Sequence, residues 1–465
     1  MKLTHPDAAP RSRGARSRIA KLAALTIVAG TVLVGCSQPA AGPNVVSLWY
    51  SPDDPSVKAQ KEWAKFNVDP FEKLNPKITV NAVLVPAQSA DQKQKVALAA
   101  GTGPDIITTP GSANAIPYAT AGYLADLSDA AKTNDWSNRI LPWALDMGYV
   151  DDKLVALPTS YETMVLYYNK TLFEKNGWEV PTDRASLEQL AGEMKAKGVI
   201  PFAAGNASYQ GATEWLVSTY LNQVAGPSKI HDALSGKVPF TDPSIVASIQ
   251  MMKDDFDAGW YAGGIKQYFS TQDPQKYAQF ADGKAAMMVS GSWEMGSFGD
   301  YFGKDGNTSE WAWTSLPPLA DGVPSGIFPL SVGGTISVNA KSKSLKASTD
   351  YVSWLFSDTK NMWAAVEAGS FAPFPITYAP SDVPSGVDPR YAAQYQAIND
   401  ASKAGDVGYV TWTSFGSKSE AYVLDKMDKV VNGDLSPADF CAGLEKAFQA
   451  DQAAGLVPPL FSTGG

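Results

Sequence analysis

The sequence predicts an α/β protein built as two lobes. Three observations predict it. The 465 residues are too many for one ordinary hydrophobic core. From Val45 to Thr108, strand, helix, strand, helix and strand patterns alternate, the signature of a parallel sheet covered by helices. Hydrophobic residues make up 45% of the chain and charged residues 18%, proportions that suit packed globular structure.

The elements follow in order. "VVSLWY", Val45 to Tyr50, is an apolar run of strand length, ended by the turn-forming "SPDDPS". A helix is expected from about Val57, ending at Asn75-Pro76, and then a strand from Ile78 to Val85. "ADQKQKVALAAGTGPDIIT" reads as a helix stopped by Gly101, a Gly/Pro turn and a short strand at Asp105 to Thr108. A helix over Ala115 to Leu127 and a hairpin in "YVDDKLVALP" come next. "PTSYETMVLYYNK", Pro158 to Lys170, is a strand, followed by a helix at Thr171 to Asn176 and an amphipathic helix closed by Gly198. "IPFAAG" is a strand, and helices follow near Thr213 to Val224 and Pro243 to Ala258. "GKAAMMVSGSWEMGSF" is a buried strand, Ala285 to Val289, that breaks into a Ser/Gly loop presenting Trp293. "EWAWTSLPP" and "GGTISVNA" are further strands, and after Leu345 the pattern is largely helical, apart from the Pro-rich "FAPFPITYAPSDVPSGVDP".

The N-terminus has the layout of an export signal. Five basic residues between Arg11 and Lys21 precede the apolar Leu22 to Val34, whose 13 residues are too few for a permanent bilayer span. Leu33-Val34-Gly35-Cys36 follows at once and resembles the bacterial lipobox, in which the cysteine is acylated. The expectation is therefore a signal peptide over 1–35, a lipid anchor on Cys36 and a flexible tether over 36–44. Removing 1–35 takes six basic and one acidic residue from totals of 38 and 47, which leaves a net charge of −14. That balance argues against nucleic acid, whose phosphates demand a basic face. The mature chain keeps one His, His231, and, besides Cys36, one Cys, Cys441, too few for a His/Cys zinc site. His231 lies in what reads as an exposed helix start, which argues against a Ser-His-Asp triad, and no cofactor is expected.

Several stretches together resemble the solute-binding proteins of bacterial ABC importers related to maltose-binding protein. They are "FEKLNPKITV", "ALAAGTGPDII", "AGYLADLSD", "KLVALPTSYETMVLYYNKTLFEKNGW", "FADGKAAMMVSGSW", "GGTISV" and "ASTDYVSWLFSD", in that order from about Val45 to Gly369. The resemblance implies a two-lobed, type II periplasmic-binding-protein-like fold with the ligand in the interlobe cleft. It implies a first lobe over 45–155 and 318–357, a second over 157–316 and 374–465, and hinge segments near 156, 317 and 358–373. It also implies a carbohydrate ligand, an ABC permease as partner and a monomer held at the membrane by its lipid anchor alone.

Sugar recognition needs aromatic faces for C–H patches and polar groups for hydroxyls. By the resemblance, Ser51, Asp53 and Asp54 lie past the first strand where hydroxyl-binding residues occur, and Asn114 follows a strand end likewise. Tyr161 and Glu162 match a cleft position near the lobe crossing, with the carboxylate as hydrogen-bond acceptor and no second carboxylate opposite it. Gln210 and Trp215 fall near second-lobe contacts, Trp293 matches a stacking Trp, and Trp412 resembles a C-terminal one. Gly333 and Gly334 are read as allowing close backbone approach. The expected function is binding an oligosaccharide for import, without catalysis. The alternatives are a secreted glycoside hydrolase, or the same fold binding a phosphorylated polyol or a polyamine. Only three Arg remain in the mature chain (Arg139, Arg184 and Arg390), which disfavours phosphate.

Overall fold

The computed structural model describes residues 42–50, 57–368 and 374–461. The signal peptide, Cys36, most of the tether, and Ser51, Asp53 and Asp54 lie outside the described residues. Eleven strands are present among the described residues. They are β1 (Val45–Tyr50), β2 (Thr79–Leu84), β3 (Ile106–Thr109), β4 (Tyr149–Val150), β5 (Lys153–Leu154), β6 (Leu157–Asn169), β7 (Ile200–Phe202), β8 (Ala285–Gly291), β9 (Trp311–Thr314), β10 (Phe328–Val338) and β11 (Val407–Tyr409). Nine form one sheet in the order β2-β1-β3-β10-β6-β8-β7, with β11 beside β10 and β9 beside β6, while β4 and β5 make a separate ribbon.

Strand β1 pairs parallel with both β2 and β3, so helices must carry the chain back between them. The helices Val57–Asn67 and Ala87–Ala99 do so. Many helix boundaries follow local chemistry. The Asn169 side chain accepts from the Leu172 amide at 2.9 Å to start Lys170–Asn176, which ends at Gly177 with φ 68°. Asp183 and Ser186 cap the helix Arg184–Ala196 reciprocally. The long helix expected over Ala115 to Leu127 is instead one 3₁₀ turn and the short helix Ile116–Thr120. No helix among the described residues is long and apolar enough to cross a membrane.

Apolar side chains gather in two large cores. One takes Val46, Leu48, Phe71, Val80 and Ile106 with Ile336, Val338, Tyr351 and Val352. The other takes Met164 to Tyr167, Phe202, Leu216, Ile249, Phe280 and Met287 with Leu330, Val332, Val423 and Phe440. Strands β6 and β10 run through both. Leu157 and Ile336 lie in the first core, and Tyr161, Val332 and Leu330 in the second. The two strands pair antiparallel across this passage, Ile336 with Leu157 and Val332 with Tyr161, with a register irregularity at Val332–Thr335. A third passage uses the start of helix Pro389–Ala404, between Val387 in the first core and Tyr395 in the second.

Two of these passages lie away from the expected hinge positions. Leu316, Leu319 and Phe328 pack in the second core, so the passage lies beyond 317, near Gly334. Met362, Trp363, Val366, Phe374 and Ile376 pack in the first core, so the segment near 358–373 contributes a helix to that core instead of crossing. Strand β10 also begins earlier than the expected "GGTISVNA", at Phe328. "FPLSV" precedes the glycines that mark the strand in the sequence.

Candidate functional site

A cleft opens where β6 and β10 pass between the cores. It has two adjoining chambers, of about 670 and 620 Å³, which share Asp91, Pro110, Glu162 and Trp293. Glu162 projects from β6 into both. Its carboxylate accepts from the Ser160 hydroxyl at 3.3 Å and the Ser331 hydroxyl at 3.4 Å, Ser331 being its register partner on β10. A Cβ on Gly333 would lie 1.9 Å from Glu162 Oε1, so the carboxylate rests against a backbone that only glycine leaves bare. A Cβ on Gly334 would meet the Thr159 hydroxyl at 2.8 Å. Gly333 lines the first chamber and Gly334 the second.

Four aromatic rings run along the first chamber. Tyr209 stacks on Trp215 at 5.4 Å between centroids, Trp215 meets Trp293 at 4.9 Å, and Trp293 meets Trp412 edge-on at 6.2 Å. Trp293 occupies a 3₁₀ turn at the end of β8, and its ring lies over Gly291, where a Cβ would be 2.1 Å away. In the second chamber Tyr50 stacks on Trp63 at 4.1 Å. Beneath the first wall lies an ion pair. Lys276 Nζ is 2.9 Å from Glu294 and 2.9 Å from Asp273, with Lys276 3% and Glu294 1% exposed. Ser290 and Tyr277 also donate to Glu294. Burial works to lower the Lys276 pKa, but Glu294 and Asp273 outweigh it and hold the ammonium charged.

Three further acids bear on the chamber. Glu214 is 2% exposed and its carboxylate accepts from the Thr411 hydroxyl at 2.6 Å. Asn114, held by its bond to the Pro110 carbonyl at 2.7 Å, reaches Glu420 at 3.5 Å. Burial pushes the Glu162 carboxyl up to about 7, against the two serine hydroxyls, and the Glu214 carboxyl to about 7, against Thr411. Burial and then the charge of Glu214 push Glu420 to about 8.

The cleft brings together Asn114, Glu162, Trp215, Trp293, Gly333, Gly334 and Trp412. Two expected residues are elsewhere. Tyr161 is fully buried with its ring 4.9 Å from that of Tyr395, because successive residues of a strand face opposite sides. Gln210 is exposed and reaches Asp428 at 3.5 Å, outside the cleft lining. The expectation that no second carboxylate joins Glu162 is also corrected, since Glu214 and Glu420 line the same chamber. Tyr209 and Glu214 sit in "ASYQGATEW", the stretch that carries Gln210 and Trp215, and a shift of one residue from each would have found them. The Lys276–Glu294 pair left no signal in the sequence, because 18 residues separate its members.

These three carboxyls fix the direction of a pH effect. Each binds its proton more tightly in the folded chain than in the unfolded one. Stability therefore falls as pH rises from the unfolded carboxylate range through 7 to 8. At about 1.4 kcal/mol per pH unit of separation, reduced by cleft water, the joint cost is on the order of 3 kcal/mol at pH 8.5. The melting temperature of the ligand-free protein should drop by several degrees between pH 5.5 and 8.5. A flat or rising profile would show that water solvates these acids fully.

The family model for bacterial extracellular solute-binding protein matches residues 54–362. A multiple sugar-binding protein of Streptococcus mutans is 27% identical over 310 residues, covering 61% of this chain and 66% of that protein. The match thus spans just under two thirds of that relative's own length. Among solved structures, a chitin oligosaccharide binding protein superposes with a TM-score of 0.75 at 22% identity, covering 88% of this chain and 99% of that one. The GacH receptor of Streptomyces glaucescens, solved unliganded and with acarbose, gives a TM-score of 0.69 at 25% identity, covering 88% and 98%.

Proposed function

From the premise that this chain belongs to the bacterial extracellular solute-binding proteins and has their type II, two-lobed fold, we propose that it captures an oligosaccharide and hands it to an ABC permease. The observation that carries the reading is the row of Tyr209, Trp215, Trp293 and Trp412 beside Glu162, Glu214 and Glu420. Ring faces take the C–H patches of pyranoses, and carboxylates accept from their hydroxyls. Both chambers fall within the roughly 300–1,000 Å³ of small-molecule sites, which favours a ligand of more than one ring. The two cores act as the lobes, and the β6–β10 ribbon with the 387–395 passage acts as the hinge. A ligand touching both sides favours the closed arrangement that the permease recognises. The protein does no chemistry on the sugar. It works as a monomer outside the cytoplasm, held at the membrane by an acylated Cys36. Cys36→Ala should abolish its partitioning into detergent.

A thermal-shift panel of mono- and oligosaccharides tests the function. A ligand that binds only the folded state at 100 times its Kd stabilises by about 2.7 kcal/mol. At least one oligosaccharide should raise the melting temperature more than its monosaccharide does. Cleavage of the sugar during incubation would replace this reading with the hydrolase one, and a panel without any shift would remove the carbohydrate.

A further inference from the structure

Charge in the first chamber is out of balance. Lys276 is the one cation in its lining among the described residues, and it is held by Glu294 and Asp273. Asp91, at the rim, pairs with Lys95 at 2.7 Å. Glu162, Glu214 and Glu420 have no cationic partner among the described residues and meet only hydroxyls and one amide. Glu214 is the sharpest case. It is almost wholly buried, Thr411 donates to Oε1, and Oε2 receives no hydrogen bond from any described residue. Glu214 and Glu420 sit on the helices Ala212–Tyr220 and Ser417–Val431, which pack on each other, so ionising both sets like charges against each other in a low-dielectric site, and they hold protons until a cation arrives. Burying like charges is costly unless something positive arrives between them.

Resting on the carbohydrate reading, we propose that the sugar carries a primary ammonium group, seated between Glu214 and Glu420 against the aromatic wall. An amino sugar with a free amine fits, whereas an N-acetylated sugar does not. An ammonium supplies three donors and a compensating charge, while a hydroxyl supplies one donor and none. The faces of Tyr209, Trp215 and Trp412 add the attraction of ring quadrupoles for a cation. The C–H patches of the same sugar stack on those rings.

Titration calorimetry at pH 7 with β-1,4-linked glucosamine oligomers tests this. The comparison ligands are the N-acetylated oligomers, neutral cello-oligosaccharides of the same length, and spermidine. The glucosamine oligomer should bind at least about 10-fold tighter than either other sugar, and the advantage should shrink at high salt. Glu214→Gln and Glu420→Gln should each lower glucosamine-oligomer affinity more than neutral-sugar affinity, with melting curves checking that both variants fold. Equal or tighter binding of a neutral or acetylated sugar would overturn the ammonium and leave the carbohydrate reading standing. Binding of spermidine without any sugar would overturn both.

Discussion

Trp293→Ala is expected to weaken oligosaccharide binding by at least about 30-fold, the roughly 2 kcal/mol or more that a desolvated anchor loses on truncation. Trp293 borders both chambers, so its loss removes a wall from each. Its face is held before any ligand arrives. Gly291 lies beneath the ring, Trp215 leans on it and Trp412 meets it edge-on. A preorganised ring loses little entropy on binding, so most of its contact energy reaches the affinity. Glu162→Gln should cost less, about 1–2 kcal/mol, since an amide oxygen still accepts from a sugar hydroxyl. Calorimetry on the two variants ranks them. Wild-type affinity in Trp293→Ala would take that residue out of the site. Loss of a sugar-cleaving activity in Glu162→Gln would make Glu162 a general acid.

Much of this site was legible because its signals are local. Trp293 follows a buried strand and small residues, which is how a strand end presents a ring, and Glu162 stands in a long apolar strand where a charge needs a reason. The alternation of strands and helices likewise announced the parallel β1, β2 and β3, but not that β10 and β6 join the sheet antiparallel, since those pairings are distant in sequence. What escaped depends on contacts distant in sequence. Tyr161 and Glu162 are neighbours, yet the two-residue period of the strand sends one into the core and the other into the cleft. Which face was which depended on β10, more than 160 residues later. Two of the passages between cores lie away from the expected positions for a related reason. Proline-rich sequence looks like linker, but Phe374 and Ile376 are anchored in the first core, and the real passages lie inside β6 and β10 and beside an ordinary helix start.

The pair Lys276–Glu294 yields the largest expected effect on stability. Lys276→Met should destabilise the fold by about 3–5 kcal/mol, because removing one member of a buried ion pair strands the other. Glu294 would keep Ser290 and Tyr277 as donors but lose its only cation among the described residues, and Asp273 would lose its partner as well. The double variant Lys276→Met with Glu294→Gln removes both buried charges and should recover most of the loss, since the Asp273 carboxylate left without its partner is part-exposed and solvated. Affinity should follow stability in this series. Glu294 immediately follows Trp293, and Lys276 Nζ lies 5.9 Å from the Trp215 ring centre, so a disturbed pair disturbs the wall above it. Urea midpoints and calorimetry on the single and double variants read the two effects separately. A single variant that loses less than about 1 kcal/mol would mean that water reaches Glu294 and that the wall stands without the pair. A double variant as unstable as the single one would assign the loss to the other contacts of the lysine, whose Nζ also lies 4.7 Å from the Tyr277 ring centre.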